Sequence, residues 1–319
     1  MSAHANIVEL QKQLNQQVIG QSDLVNKMLI ALLANGHLIV EGAPGLAKTR
    51  AIRSLADRVE GSFHRIQFTP DLLPGDVTGS DIFRPEDGSF HFEAGPIFNN
   101  LVLADEINRA PAKVQSALLE AMAEGQVSVG KKTYKLPPLF LVMATQNPVE
   151  QEGTYPLPEA QLDRFMLFVN VDYPDAETER AILALTLNEA LQQQSDAPAS
   201  IAQDAIFQAR NEVLGIYVAE NVSEYIVHLI MATREPQKYS EDLAGAIEYG
   251  ASPRATIALD RCARAHAWLH GKDYVSPDDV IAVAPDVLRH RIVVSFAAEA
   301  NGLDRDAIVT KLLNTVAIA

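Results

Sequence analysis

Gly42-Ala43-Pro44-Gly45-Leu46-Ala47-Lys48-Thr49 is the stretch on which the reading of this chain turns. It follows a short apolar run, His37-Leu-Ile-Val-Glu41, and precedes Thr49 to Val59, whose apolar residues recur at helical spacing. Strand, Gly/Pro-rich turn and helix start in that order are the context a phosphate-cradling loop requires. Backbone N–H groups at a helix N-terminus hold phosphate oxygens, Lys48 reaches the β and γ phosphates, and Thr49 is placed to ligate Mg²⁺. The pattern G-x-x-x-x-G-K-[ST] has glycine where this chain has Ala47, so that residue is expected to take a backbone conformation that tolerates a Cβ.

A second apolar strand, Leu101-Val-Leu-Ala, runs directly into Asp105-Glu106. Two carboxylates at the end of a buried strand are costly unless they meet a cation or a reacting water. Beside a phosphate loop, Asp105 would hold Mg²⁺ through water and Glu106 would polarise the attacking water. Asn147, in Ala144-Thr-Gln-Asn-Pro148, stands at a third strand tip, where an amide can orient water against a γ-phosphate. Asn-Pro is also an ordinary turn, so it is the company of the other two tips that favours the functional reading. In an open α/β sheet, ligands bind outside the carboxyl ends of the strands, which is where all three fall.

The rest of the first half fits that sheet. Further strands are expected at Phe63 to Phe68, Leu139 to Ala144 and Met166 to Val171, and a helix over Ser22 to Ala34 with Ser22 as its cap. Runs such as Leu-Phe-Leu-Val-Met-Ala suit parallel strands covered on both faces. Two segments interrupt the alternation: residues 70–98, rich in Gly and Pro, and residues 125–138, which alternate like a hairpin around Gly130. From Asp175 onward the pattern is helical without convincing strands, and Gln192 to Ser200 reads as a polar linker. Ser276-Pro277-Asp278-Asp279 is a helix start with a capping box.

At 319 residues the chain is long enough for two domains, and 48% hydrophobic with 21% charged residues places it among ordinary globular proteins. A net charge of -15 works against a phosphate-backbone footprint and so argues against nucleic acid as a partner. The lone Cys262 cannot form an internal disulfide and is expected in the core. Neither a leader-like N-terminus nor about 18 uninterrupted apolar residues is found, which points to the cytoplasm and against a membrane span. His266 and His270 are four apart on a helical stretch, but no H-E-x-x-H arrangement or third ligand accompanies them, and packing is the better reading.

The phosphate loop, Asp105-Glu-Ile-Asn-Arg-Ala-Pro111, Gln115-Ser-Ala-Leu-Leu-Glu-Ala-Met122, Ala144-Thr-Gln-Asn-Pro148 and Leu157-Pro-Glu-Ala-Gln-Leu-Asp-Arg-Phe165 together resemble the MoxR family of AAA+ ATPases. The likeness continues through Gly250-Ala-Ser-Pro-Arg254 and Leu288-Arg-His-Arg-Ile292, and so covers nearly the whole chain. It implies a P-loop AAA+ core, residues 1–190, with a parallel sheet flanked by helices and two projecting hairpins. A C-terminal all-helical lid domain, residues 200–319, would follow.

It further implies that Gly42, Ala43, Pro44, Gly45, Leu46, Ala47, Lys48 and Thr49 form Walker A, Asp105 and Glu106 Walker B, and Asn147 sensor 1. Arg164 becomes the arginine finger that reaches a neighbour's γ-phosphate, Arg254 becomes sensor 2, and Val18-Ile19-Gly20 borders the adenine. ATP or ADP with Mg²⁺ would bind between core and lid of a homo-oligomeric ring, expected to be a hexamer. Chaperone-like remodelling or maturation of client protein complexes would follow, with metal or cofactor insertion as one form it can take in the family, together with a partner bearing a von Willebrand factor A domain. The alternatives are a chelatase-type ATPase subunit and a nucleotide-binding switch with little turnover. Spacing alone says little of the two arginines, because most arginines are solvated surface groups.

Overall fold

The computed structural model describes residues 2–86, 88–130, 132–148, 153–191 and 200–318, so all but the last residue of the expected polar linker lies outside the described residues. The chain divides into two compact units that interleave in sequence. One comprises Met1–Leu29, His37–Leu157 and Val169–Ile206; the other comprises Ile30–Gly36, Pro158–Phe168 and Phe207–Ala319.

The first unit is built on a sheet. The elements up to residue 191, in chain order, are α1 (Ala3–Gln17), α2 (Ser22–Leu33), β1 (Leu38–Gly42), α3 (Lys48–Ala56), β2 (Phe63–Gln67), α4 (Pro74–Thr78), β3 (Gly79–Arg84), β4 (Ser89–Ala94), β5 (Leu101–Asp105), α5 (Ala112–Glu124), β6 (Gln126–Val129), β7 (Lys132–Lys135), β8 (Leu141–Gln146), α6 (Glu159–Leu162), β9 (Leu167–Val171) and α7 (Ala176–Leu191), of which α6 falls in the second unit and α2 and β9 are shared between the two. The five-stranded sheet has the order β2-β5-β8-β1-β9, with β2, β5, β8 and β1 paired in parallel. Leu38 to Val40, Leu101 to Ala104 and Leu141 to Ala144 are all buried, which is why these strands read as unbroken apolar runs and not as alternating ones. Registers Glu41 to Gln146 and Gln67 to Asp105 bring the carboxyl ends of the central strands to one edge.

Both interruptions are antiparallel hairpins, β3 with β4 and β6 with β7. The first needs Gly79 at its base: its φ is +86°, and a Cβ there would lie 2.2 Å from the carbonyl oxygen of Glu93. Phe92 of β4 stacks on Tyr134 of β7 with ring centroids 3.9 Å apart, so the two hairpins touch. Ser22 is already the first residue of α2, and Val25 bonds the Gln21 carbonyl, so the helix starts one residue earlier than a Ser22 cap would place it.

The second unit is mostly helical: α8 (Gln203–Leu214) leads into it, followed by α9 (Glu220–Arg234), α10 (Pro253–Leu269), α11 (Pro277–Leu288), α12 (Phe296–Ala300) and α13 (Arg305–Thr315). It is not free of strands, contrary to the reading of its sequence. Tyr217–Val218 pairs with Tyr274–Val275, and Ile247–Tyr249 with Val293–Val294. Two- and three-residue pairings carry too little alternation to register as a period. Leu259, Cys262 and Ala263 of α10 and Val280, Val283 and Val287 of α11 are fully buried in its core. Ser276 and Asp279 close the expected capping box at the start of α11.

Candidate nucleotide site

The turn after β1 enters α3 through Ala47, which has φ 57° and ψ 14° and no side-chain cap. This departs from the expectation of a conformation comfortable for a Cβ: Ala47 sits in the left-handed region, where an L-residue is strained by roughly 1–2 kcal/mol. The first-turn amides of α3 are left without a capping side chain, which is the arrangement an oxyanion can complete.

Lys48 folds back over the strand tips. Its Nζ donates to the carbonyl of Gly42 at the end of β1 and, at 3.2 Å, to that of Gln146 at the end of β8. Burial pushes this ammonium below the ordinary lysine value, against the opposing pull of Asp105, Glu106 and Glu41. Lys48 and the two acids therefore share one sheet edge.

Asp105 ends β5 and is only 8% exposed. Its Oδ1 accepts from the hydroxyl of Thr145 at 2.6 Å, and its Oδ2 accepts from Arg65 Nε and a terminal guanidinium nitrogen at 2.9 and 2.6 Å. Glu106 follows with φ 56°, again left-handed, and its N–H donates to Thr145 at 2.9 Å. Its Oε2 accepts from Gln67 Nε2 at 2.9 Å and pairs with Arg109 Nε at 3.0 Å. Thr145 thus spans both acids from the neighbouring strand. Asn147, 6% exposed, follows β8 at the same edge.

A pocket opens beside the loop. Val18 and Ile19 line one side, Gly45, Leu46 and Ala47 another, and Ile182, Leu185 and Thr186 of α7 a third. Its walls are largely apolar, with Gln17, Gln21, Arg50 and Glu179 supplying polar groups, which suits a flat heterocycle with a few hydrogen-bonding edges. Gly20 lies just behind, with φ +78°, and a Cβ there would come within 2.1 Å of Thr178 Cγ2. Arg50 ties the rim together by donating to the Gln17 carbonyl at 2.6 Å and pairing with Glu189.

Residues Thr145, Arg65, Gln67 and the α7 wall were not singled out in the sequence. The signal for α7 was only the helical pattern that begins after Asp175, and the others act through contacts across strands that no local pattern announces. Arg164 and Arg254 belong to the second unit, where Arg254 pairs with Asp163 at 3.7 Å and is 55% exposed, while Arg164 is half-buried. His266 bonds Asp279 at 2.8 Å and faces the His270 ring at 4.2 Å, which supports the packing reading of that pair. Among the described residues, no group of three His, Cys, Asp or Glu is arranged to hold a metal, but a Mg²⁺ held by one hydroxyl, one carboxylate, waters and phosphates does not need such a cluster.

A glycine-containing turn into a helix, a lysine over the strand tips and two acids on the same edge of this sheet define a P-loop ATPase. Residues 37–167 match the model of the ATPase family associated with various cellular activities (AAA), and residues 241–312 that of the AAA lid domain. The chain is 46% identical over 305 residues to Chaperone MoxR1 of Mycobacterium tuberculosis, covering 94% of this chain and 79% of that one. It is 33% identical to Protein MoxR of Paracoccus denitrificans, over 98% of this chain and 94% of that one. A candidate ATPase from Cytophaga hutchinsonii, with a crystal structure at 2.00 Å resolution, superposes with a TM-score of 0.92 at 45% identity, over 99% of this chain and 96% of that one. The chain belongs to the MoxR family of AAA+ ATPases. Among its described residues, no helix is long and apolar enough to cross a membrane.

Proposed function

We propose that this chain hydrolyses ATP to ADP and phosphate with Mg²⁺ and couples the cycle to chaperone-like remodelling or maturation of client proteins. The observation that carries the hydrolytic part is the convergence of Lys48, Asp105 and Glu106 on one sheet edge. In this reading Gly42 to Ala47 and the first turn of α3 cradle the phosphates, and Lys48 binds the β and γ oxygens. Thr49 and Asp105 would hold Mg²⁺, which neutralises phosphate charge when bound. Arg65 and Thr145 fix Asp105 in place, leaving it to act through water.

Glu106 takes the proton of the attacking water as its oxygen bonds the γ-phosphorus and the bond to the β–γ bridging oxygen breaks; Asn147 orients that water. In this reading Val18, Ile19 and Gly20 border the base, and the place of Val18 and Ile19 in the pocket wall supports it. Arg164 serves a neighbouring subunit's γ-phosphate, and Arg254 reads the same charge within its own chain. A group supplied in trans implies a closed head-to-tail ring, here taken as a hexamer. Domain limits of 1–190 for the core and 200–319 for the lid, a cytoplasmic setting and a partner with a von Willebrand factor A domain complete the proposal. The name of the Mycobacterium relative supports the chaperone part.

The test is ATP turnover against protein concentration. Lys48→Ala is expected to lose turnover, and Arg164→Ala to regain it when mixed with Glu106→Gln subunits, which lend their finger. Wild-type turnover in Lys48→Ala, or a purified protein that never hydrolyses ATP, overturns the reading.

A further inference from the structure

The segment that follows α6 carries Arg164 but forms no regular element: Asp163 to Met166 lie in turn and bend between α6 and β9. Its carbonyls have no ladder to bond to, and backbone groups without partners are costly when buried. They are met instead by three consecutive side chains after α11. Arg291, whose side chain is 2% exposed, donates to the carbonyls of Asp163 at 3.3 Å, Phe165 at 2.5 Å and Met166 at 3.2 Å. His290 donates from Nε2 to the same Phe165 carbonyl at 3.1 Å, and Arg289 donates to that of Phe168 at 3.2 Å. Arg164 is therefore the residue between two gripped carbonyls.

The grip is electrostatically specific. Arg291 Nε also bonds Asp163 Oδ1 at 2.8 Å. The other oxygen of that carboxylate accepts from the Ser252 hydroxyl at 2.9 Å, and Ser252 is the N-cap of α10, the helix that carries Arg254 in its first turn. Arg254 itself lies 3.7 Å from the same oxygen. One carboxylate thus touches the anchor under Arg164 and the start of the helix bearing Arg254. A buried guanidinium is expensive to desolvate, and a Lys could not span four acceptors with a fork.

We propose that Arg291 and Asp163 are positioning residues that aim Arg164 and tie its placement to that of Arg254. This rests on the finger reading of Arg164 given above. Neither residue touches nucleotide in this proposal; they act through the backbone of residues 163–166.

The experiment is a double-mutant cycle in the full chain with Asp163→Asn, Arg291→Lys and Arg164→Ala. Asp163→Asn keeps one oxygen to accept from Arg291, places an NH2 that the Ser252 hydroxyl can accept, and removes the charge, so it remains informative if Arg291→Lys fails to fold. Melting temperature, affinity for a fluorescent non-hydrolysable ATP analogue and kcat are read for each. The expected result for Asp163→Asn and Arg291→Lys is kcat lowered about tenfold or more with analogue affinity nearly unchanged, because a misaimed group loses rate and not ground-state binding. Adding either change to Arg164→Ala is expected to cost nothing further. Losses that multiply in the double variants, or wild-type kcat in Asp163→Asn, overturn the proposal while leaving the finger intact. Wild-type kcat in Arg164→Ala overturns the finger reading itself, and the proposal with it.

Discussion

Replacing Thr145 by valine removes one hydroxyl and nearly nothing else, at a residue 1% exposed. That hydroxyl donates to Asp105 Oδ1 at 2.6 Å and accepts the Glu106 N–H at 2.9 Å. A hydrogen bond to a carboxylate contributes about 1.5–3 kcal/mol, and a buried N–H left without a partner costs about 1–3 kcal/mol. Some of this is offset by the better burial of a methyl group, so a net loss of roughly 2–4 kcal/mol is expected. Melting should then fall by roughly 5–15 °C, taking about 2–4 °C per kcal/mol for a unit of this size. Turnover should fall as well, because Glu106 is held at φ 56° and strained backbone persists only where its surroundings over-determine it. Thermal melts and steady-state ATPase rates of Thr145→Val and Thr145→Ser decide the matter. Serine keeps the hydroxyl and should recover most of both losses. A serine variant as impaired as the valine one would show that the methyl group, not the hydrogen bonds, matters, and the reasoning would fail.

Three further outcomes are expected. Ala47→Gly should leave nucleotide affinity intact and stabilise the protein by up to about 1 kcal/mol, since relief at φ 57° exceeds the entropy glycine adds to the unfolded chain; a lower melting temperature would contradict this. Gly42→Ala should cost about 1–3 kcal/mol in urea unfolding, because its Cβ would lie 2.6 Å from the Val171 carbonyl oxygen, which cannot swing away as a side chain would. Burial pushes the Asp279 carboxyl up, but hydrogen bonds from Lys272, Ser276 and His266 outweigh it and hold the group at about 2, against an ordinary value of 3.8. A depressed value stabilises above the unfolded one, so about 2 kcal/mol is present above roughly pH 4 and disappears as pH falls through about 2. Wild type should therefore lose more stability than Asp279→Asn between pH 5 and about 2, and parallel curves would count against it.

What the sequence made legible follows from what each element must bury. Leu101 to Ala104 and Leu141 to Ala144 are covered on both faces, so they must be apolar at every position, and their limits were readable to within two residues. The loop at Gly42 to Thr49 and the acids at 105 and 106 were readable because their chemistry is local in sequence. The exposed hairpin β3 with β4 was visible only as a Gly/Pro-rich interruption. Its pairing of Ser80 with Glu93 joins polar residues that impose no alternation.

The harder part is long-range polar contact. Thr145 serves Asp105 from 40 positions away, and Arg291 serves Asp163 from 128. Neither residue stands out by type, since a threonine in a strand and an arginine after a helix are commonplace. Ala47 and Glu106 show the complementary case: each takes a left-handed conformation at a position where nothing in its own chemistry asks for one. Strain of this kind is dictated by the tertiary frame, here the Thr145 bond for Glu106 and the helix entry for Ala47. The residues that perform the chemistry are thus readable by type, whereas the residues that hold them in place are readable only once the strands are paired. The holding set, Arg65, Thr145, Asp163 and Arg291, is accordingly where substitutions should alter rate without removing any group that meets the nucleotide in the proposed mechanism.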